Sequence, residues 1–138
     1  MGLSSNATLW AERLQKNTTR LGVRVRQAAI ETTAQLGEAL VDNSPVDTGR
    51  FRANWQHGVN VAPFGVLDVL DPSGAETKAK LRAHVMQADP GLHVFTNNLP
   101  YARRIEHGWS DQAPAGVVGV TVLQFGGRFV RSVAEAAQ

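Results

Sequence analysis

The stretch Pro45-Val46-Asp47-Thr48-Gly49-Arg50 sets a carboxylate, a hydroxyl, a conformationally free glycine and a guanidinium side by side. Such a group could cradle a phosphate or assist an acid–base step. A phosphate loop, however, needs several glycines, a Lys followed by Ser or Thr, and a helix after the loop. Here a single glycine leads into Phe51, Ala53 and Trp55, alternating with Arg50, Arg52, Asn54 and Gln56. That alternation predicts a half-buried strand. The group therefore reads as a helix-to-strand corner, with Asp47 and Thr48 capping local amides and Gly49 at positive φ.

The remaining chemistry-bearing residues are sparse. His57, His84, His93 and His107 are the four histidines, and no two stand at the i, i+4 spacing of a helical zinc site. Glu106 adjoins His107, but helical neighbours point about 100° apart and are badly placed to share a proton or a metal. No Gly-x-Ser-x-Gly elbow occurs, and cysteine is absent, which removes thiolate ligands and cysteine nucleophiles. No catalytic residue, cofactor or metal site is expected, and an enzyme is not the expected class.

Charge says more. Lys and Arg total 14 against 12 for Asp and Glu, a net charge of +2 over 138 residues, too little to announce a nucleic-acid binder. Yet Arg13, Lys16, Arg20 and Arg24 recur every three or four residues and build a basic stripe along a helix. It is either a solvated face or a contact for an acidic neighbour or DNA. Arg50, Arg52, Arg103 and Arg104 add basic candidates. Residues 97–114 mix Tyr101, Ile105 and Trp109 with Arg, Glu and Asp. That composition suits either a protein interface or a loop folded back on the core.

These residues need elements to place them. After Leu9, the residues Leu14, Leu21, Val25, Ala28, Leu36 and Leu40 are separated by threes, fours and their sums, so a helix is expected over about 8–43. Such a helix is longer than one small core requires, which points to a partner unless Gly22 and Gly37 divide it. Pro45 stops it. A sheet and short helices are expected over about 50–112: a weak strand near Val59 and Val61, then a helix opened by Pro72-Ser73-Gly74 with Leu81, Val85 and Met86 on one side. A strand over His93, Val94, Phe95 and Thr96 follows, then a short helix from Tyr101 to His107 closed by Gly108. The segment 114–138 is ambiguous, with Val117 to Phe125 strand-like and Ser132 to Ala137 helical. The whole, 1–138, reads as a single domain. No apolar run suggests a signal peptide or a membrane span.

The ordered set Pro45-Val46-Asp47-Thr48-Gly49-Arg50, Phe51-x-Ala53-x-Trp55, Val94-Phe95-Thr96-Asn97-Asn98, Leu99-Pro100-Tyr101-Ala102 and Glu106-x-Gly108 resembles the putative tail-component family of tailed bacteriophages. That group includes neck and tail-completion proteins similar to the lambda minor tail protein Z. The resemblance implies a virion structural protein of the head-to-tail junction, made in the host bacterial cytoplasm and forming a ring, on symmetry grounds a hexamer, around the DNA channel. Its implied partners are copies of itself, head-completion or connector proteins, tail-terminator or tail-tube proteins, and packaged DNA contacted without sequence preference. The implied fold is α+β: a long N-terminal helix packed on a small, mostly antiparallel sheet, with short helices and a C-terminal helix, though Gly119, Gly126 and Gly127 argue against an unbroken one. No catalytic residue is implied. Pro45, Asp47, Thr48, Gly49, Glu106 and Gly108 are carried as structural motif positions fixing the corner and the nearby sheet edge. The alternative reading is a small nucleic-acid-binding module that uses the basic stripe.

Overall fold

The computed structural model describes the backbone of residues 2–138 and the side chains of residues 6–138. Its elements run α1 (Gly2–Asp42), α2 (Arg50–Ala53), β1 (Trp55–Val59), α3 (Ala75–Gln87), β2 (His93–Asn97), α4 (Ala102–Glu106) and α5 (Val118–Ala136). The fold is α+β, with β1 and β2 forming a two-stranded antiparallel sheet in which His57 lies opposite Phe95.

Helix α1 is unbroken through both glycines, and Gly37 has a packing role. A Cβ there would meet the Phe95 ring at 2.6 Å, so the missing side chain lets β2 lie against the helix. The C-terminal half of α1 is covered on two sides. Helix α3 is tied to it by Arg82, which reaches Glu31 at 2.9 Å and also pairs with Glu38, and by Lys78 on Asp42 at 2.9 Å. Helix α5 runs back along it, held at one end by Asn43 donating to Thr121 (2.9 Å) and Gln124 (3.0 Å) and at the other by Thr32 with Ser132 (3.0 Å). Leu40, Val41, Phe51, Trp55, Leu81, Leu99, Ile105 and Val117 form the core between these elements.

Two expectations need correction, and one ambiguity is resolved. Residues 50–53 are one turn of helix, and the strand begins only at Trp55. The spacing of four between Phe51 and Trp55 is helical, and their rings meet edge to face at 6.0 Å on the core side. Gly49 sets this up: its carbonyl accepts from Ala53 at 3.0 Å, while Asn54 turns its amide back onto Arg50 O at 2.8 Å. Met86 does not share the buried side of α3, being 43% exposed while Leu81 and Val85 are buried. The C-terminal segment, ambiguous in sequence, is the C-terminal helix of the implied fold, unbroken despite its β-branched residues and Gly119, Gly126 and Gly127. Thr121 and Phe125 are buried four apart and fix a helical face against α1.

The corner does carry a positive φ at Gly49, +88°. A Cβ there would stand 2.3 Å from Pro72 N and 2.6 Å from Asp71 C. Gly49→Val is expected to destabilise by about 2 kcal/mol or more, through both backbone strain and collision. Gly65→Ala is the control. Gly65 has a comparable φ of +92° but open space around it, so only the strain, about 1 kcal/mol, is expected there. Equal shifts of the denaturant midpoint for the two variants would show that crowding at the corner contributes nothing.

Candidate interaction surfaces

The corner and the segment 97–114 meet, and a side-chain amide joins them. Gln112 accepts from Val46 N at 2.8 Å and donates to Val46 O at 2.9 Å, completing both hydrogen bonds of a backbone rung with one side chain. The two segments enclose a groove of about 410 Å³ lined by Pro45, Asp47, Thr48, Gly49, Arg50, Tyr101, Arg104 and Trp109, with Phe51 and Ile105 behind. Tyr101 lies 6.3 Å from Phe51, and the Arg104 guanidinium sits 5.6 Å from the centre of the Trp109 ring, which is 74% exposed. One carboxylate, two guanidiniums and two exposed aromatic rings make a surface suited to anchoring a protein loop.

Other candidates are placed differently. Arg52 does not face outward beside Arg50. Its guanidinium turns inward to the carbonyls of Pro72 (2.9 Å), Ser44 (3.2 Å), Ser73 (3.3 Å) and Asp42 (3.4 Å), where a cation suits the end of α1. Arg103 and Arg104 are both exposed on α4, but only Arg104 reaches the groove. Arg13, Lys16, Arg20 and Arg24 lie on a stretch of α1, residues 6–24, in which every residue is exposed.

Glu106 does not fix the sheet edge but caps α5. It accepts from Val117 N (2.9 Å), Val118 N (2.8 Å) and Gly119 N (2.9 Å), the free amides at the start of α5. Gly116 admits it, since a Cβ there would lie 2.4 Å from Glu106 O. Gly108, at φ +86°, lets the loop turn, and a Cβ there would strike Pro114 O at 2.6 Å. Burial works to raise the Glu106 pKa, but the three amides, with the His107 charge in support, hold it below its ordinary value.

Sequence reasoning missed the histidine pair. His57 Nε2 and His93 Nδ1 are 2.9 Å apart across the sheet, with rings stacked at 5.1 Å and Phe95 against the His57 ring. They are diagonal neighbours in the β1–β2 register, which spacing along the chain does not disclose. Burial first, then the charges of His93 and His84, push the His57 pKa down. Among the described residues no group of three or more His, Cys, Asp or Glu is arranged to hold a metal ion, and no helix is long and apolar enough to cross a membrane.

Comparison with protein-family models, with curated proteins and with solved structures found no match to this chain. The surfaces themselves are therefore the ground for a functional reading.

The cap predicts a pH signature. A folded pKa below the unfolded value of 4.5 means that the Glu106 contribution is complete above that pH and is lost as pH falls through the lower folded value. Glu106→Gln is expected to lower stability near neutral pH by about 1 to 2 kcal/mol. The gap from the parent should close as pH drops below about 4.5. Denaturant unfolding across pH measures it, and a gap constant with pH would mean that the carboxylate charge is not what caps α5.

Proposed function

We propose that this protein is a structural component of a tailed-phage virion, a neck or tail-completion protein that forms a ring around the DNA channel at the head-to-tail junction. The observation that carries the proposal is the exposed half of α1. Residues 6–24 extend past the core and carry Trp10 (67% exposed), Leu14 (51%) and Leu21 (41%) on one side, with the basic stripe beside them. Large apolar side chains held in water on a rigid element mark a surface that a partner covers. The motif residues support the same reading, because the corner and Tyr101 to Gln112 converge on an aromatic and arginine-rich groove. In a ring, that groove would take a neighbouring connector or tail protein. The stripe would face packaged DNA, where phosphate contacts attract without reading sequence.

The exposed stripe also favours the second reading, a module that binds nucleic acid by itself. The two separate on salt. Independent duplex binding would weaken steeply with salt as counterions are released, whereas a junction ring needs no measurable affinity as a free subunit.

Arg20→Glu combined with Arg24→Glu is expected to leave the subunit's unfolding free energy within about 0.5 kcal/mol of the parent, since both sites are exposed. The same change is expected to reduce joining of heads to tails, counted by electron microscopy, and to reduce infectivity. Particles lacking the protein altogether should show unjoined tails and filled heads. Normal infectious particles without it would sink the junction reading.

A further inference from the structure

The molecule exposes more surface than its mass explains. Its accessible area is 9162 Å², against about 7,000 Å² for a compact monomer of this size. The excess, about 2,100 Å², is comparable to what a subunit loses through two standard interfaces of about 800 Å² on each partner. Two bare apolar faces account for where such contacts would form.

The first is the free half of α1. Trp10, Leu14, Leu21 and Val25 step by four, seven and four and lie within about 60° of one another around the axis. This stripe continues the line of Ala28, Thr32 and Leu36, and Ala28 and Thr32 are where Ser132 of α5 docks in the same chain. The α1 surface that α5 covers is thus extended, uncovered, toward the N-terminus. The second face is the flank of α5 that borders α1, where Val122, Gly126 and Phe129 line the cleft between the two helices. Val122, Gly126, Phe129 and Val133 step by four, three and four, flanked by Leu123 at 85% exposure and Val130 at 69%. Alongside it, Thr32, Leu36 and Phe125 close an apolar cleft of about 200 Å³ between α1 and α5. Gly126 has nothing within 4 Å of where its Cβ would be, so a neighbouring helix can approach closely there.

We infer that the free half of α1 from one copy lies in the α1/α5 cleft of the next copy, head to tail. The inference deepens the junction reading and rests on its self-association. The occupant is a second copy because the chain itself supplies both halves of the contact: an apolar helical stripe with no neighbour, and an apolar helical cleft whose seam carries no charge. Arg128 lies over Phe125 at 5.2 Å and toward Gln35 and Glu38, away from the cleft. Pairing two α1 halves with each other in antiparallel fashion would instead set the flank of Arg13, Arg20 and Arg24 against its own copy, a like-charge contact. In the head-to-tail arrangement that basic flank stays outside the seam and free to meet a polyanion. The contact is heterologous, so it propagates into a ring or a filament and not into a closed dimer.

The chain has no cysteine, which makes cross-linking decisive. Leu21→Cys and Phe129→Cys, each in the full chain, are oxidised separately and as an equal mixture. The expected result is a disulfide-linked pair in the mixture and little in either protein alone, with a ladder of higher species when both substitutions are in one chain. Leu14→Asp in the same background is expected to reduce cross-linking at least tenfold, and its thermal unfolding should match the parent, since the site is exposed. Leu21→Cys linking to itself, a mixture that stays unlinked, or a parent that stays monomeric at about 100 μM would each overturn the inference. The measurement needs no virion. Cross-linking together with normal particles lacking the protein would refute the junction reading alone, and absent cross-linking together with unjoined particles would refute only this contact.

Discussion

The fold depends on closing the end of α1 at a buried corner. A helix that ends inside a protein leaves carbonyls without partners, and each must be answered or the burial costs more than it returns. Arg52 answers the Asp42 carbonyl and, in the same fan of bonds, those of Ser44, Pro72 and Ser73. Ser44 donates to Leu40 O at 2.6 Å and accepts from the Trp55 indole at 2.8 Å, which sets the start of β1 against the end of the helix. Asp71 then opens α3 from the same spot. Its carboxylate is buried yet held below the usual carboxylate range, because donors from Thr77, Gly74 and Ser73 outweigh desolvation. Three elements are thereby referred to one point. Among the described residues, no buried side-chain nitrogen or oxygen lacks a partner.

From that point the remaining contacts set direction more than they add stability. The Arg82 pair with Glu31 and Glu38 is partly exposed, and such pairs contribute modestly in water. Their value lies in register. One guanidinium bridging two carboxylates seven residues apart fixes how α3 lies along α1. On an adjacent side of α1, Thr32 with Ser132 and Asn43 with Thr121 pin α5 at two levels. Polar pairs at both ends of a helical contact allow only one alignment, a service that apolar packing alone performs poorly.

Much of this was legible in the sequence where local chemistry decides. The long helix, its stop before Pro45, the positive φ of Gly49, the start of α3 after Pro72-Ser73-Gly74 and the strand at His93 all follow from turn residues and periodicity. The alternation from Arg50 to Gln56 misled because four residues fit a period of two and a single helical turn equally well, and the hydrogen bonds of Gly49 and Asn54 decide between them. The Val-rich start of α5 stayed ambiguous in sequence because β-branching suggests a strand, whereas a distant carboxylate, Glu106, supplies the helix cap. The groove was half legible. Both of its segments stood out by composition, but their meeting depends on Gln112, a residue of no special type. The histidine pair needed the strand register and left no trace in spacing.

The reach of α1 has a mechanical consequence. Residues 6–24 form a rod about 28 Å long, fixed at one end to a rigid base. A helix of this length bends little, so a tilt of about 10° where it leaves the core would swing its tip by about 5 Å. Angular play at the base becomes linear travel at the tip, as with the hand of a clock. An assembly built through such arms could change its diameter by several ångströms while every subunit core kept its internal packing.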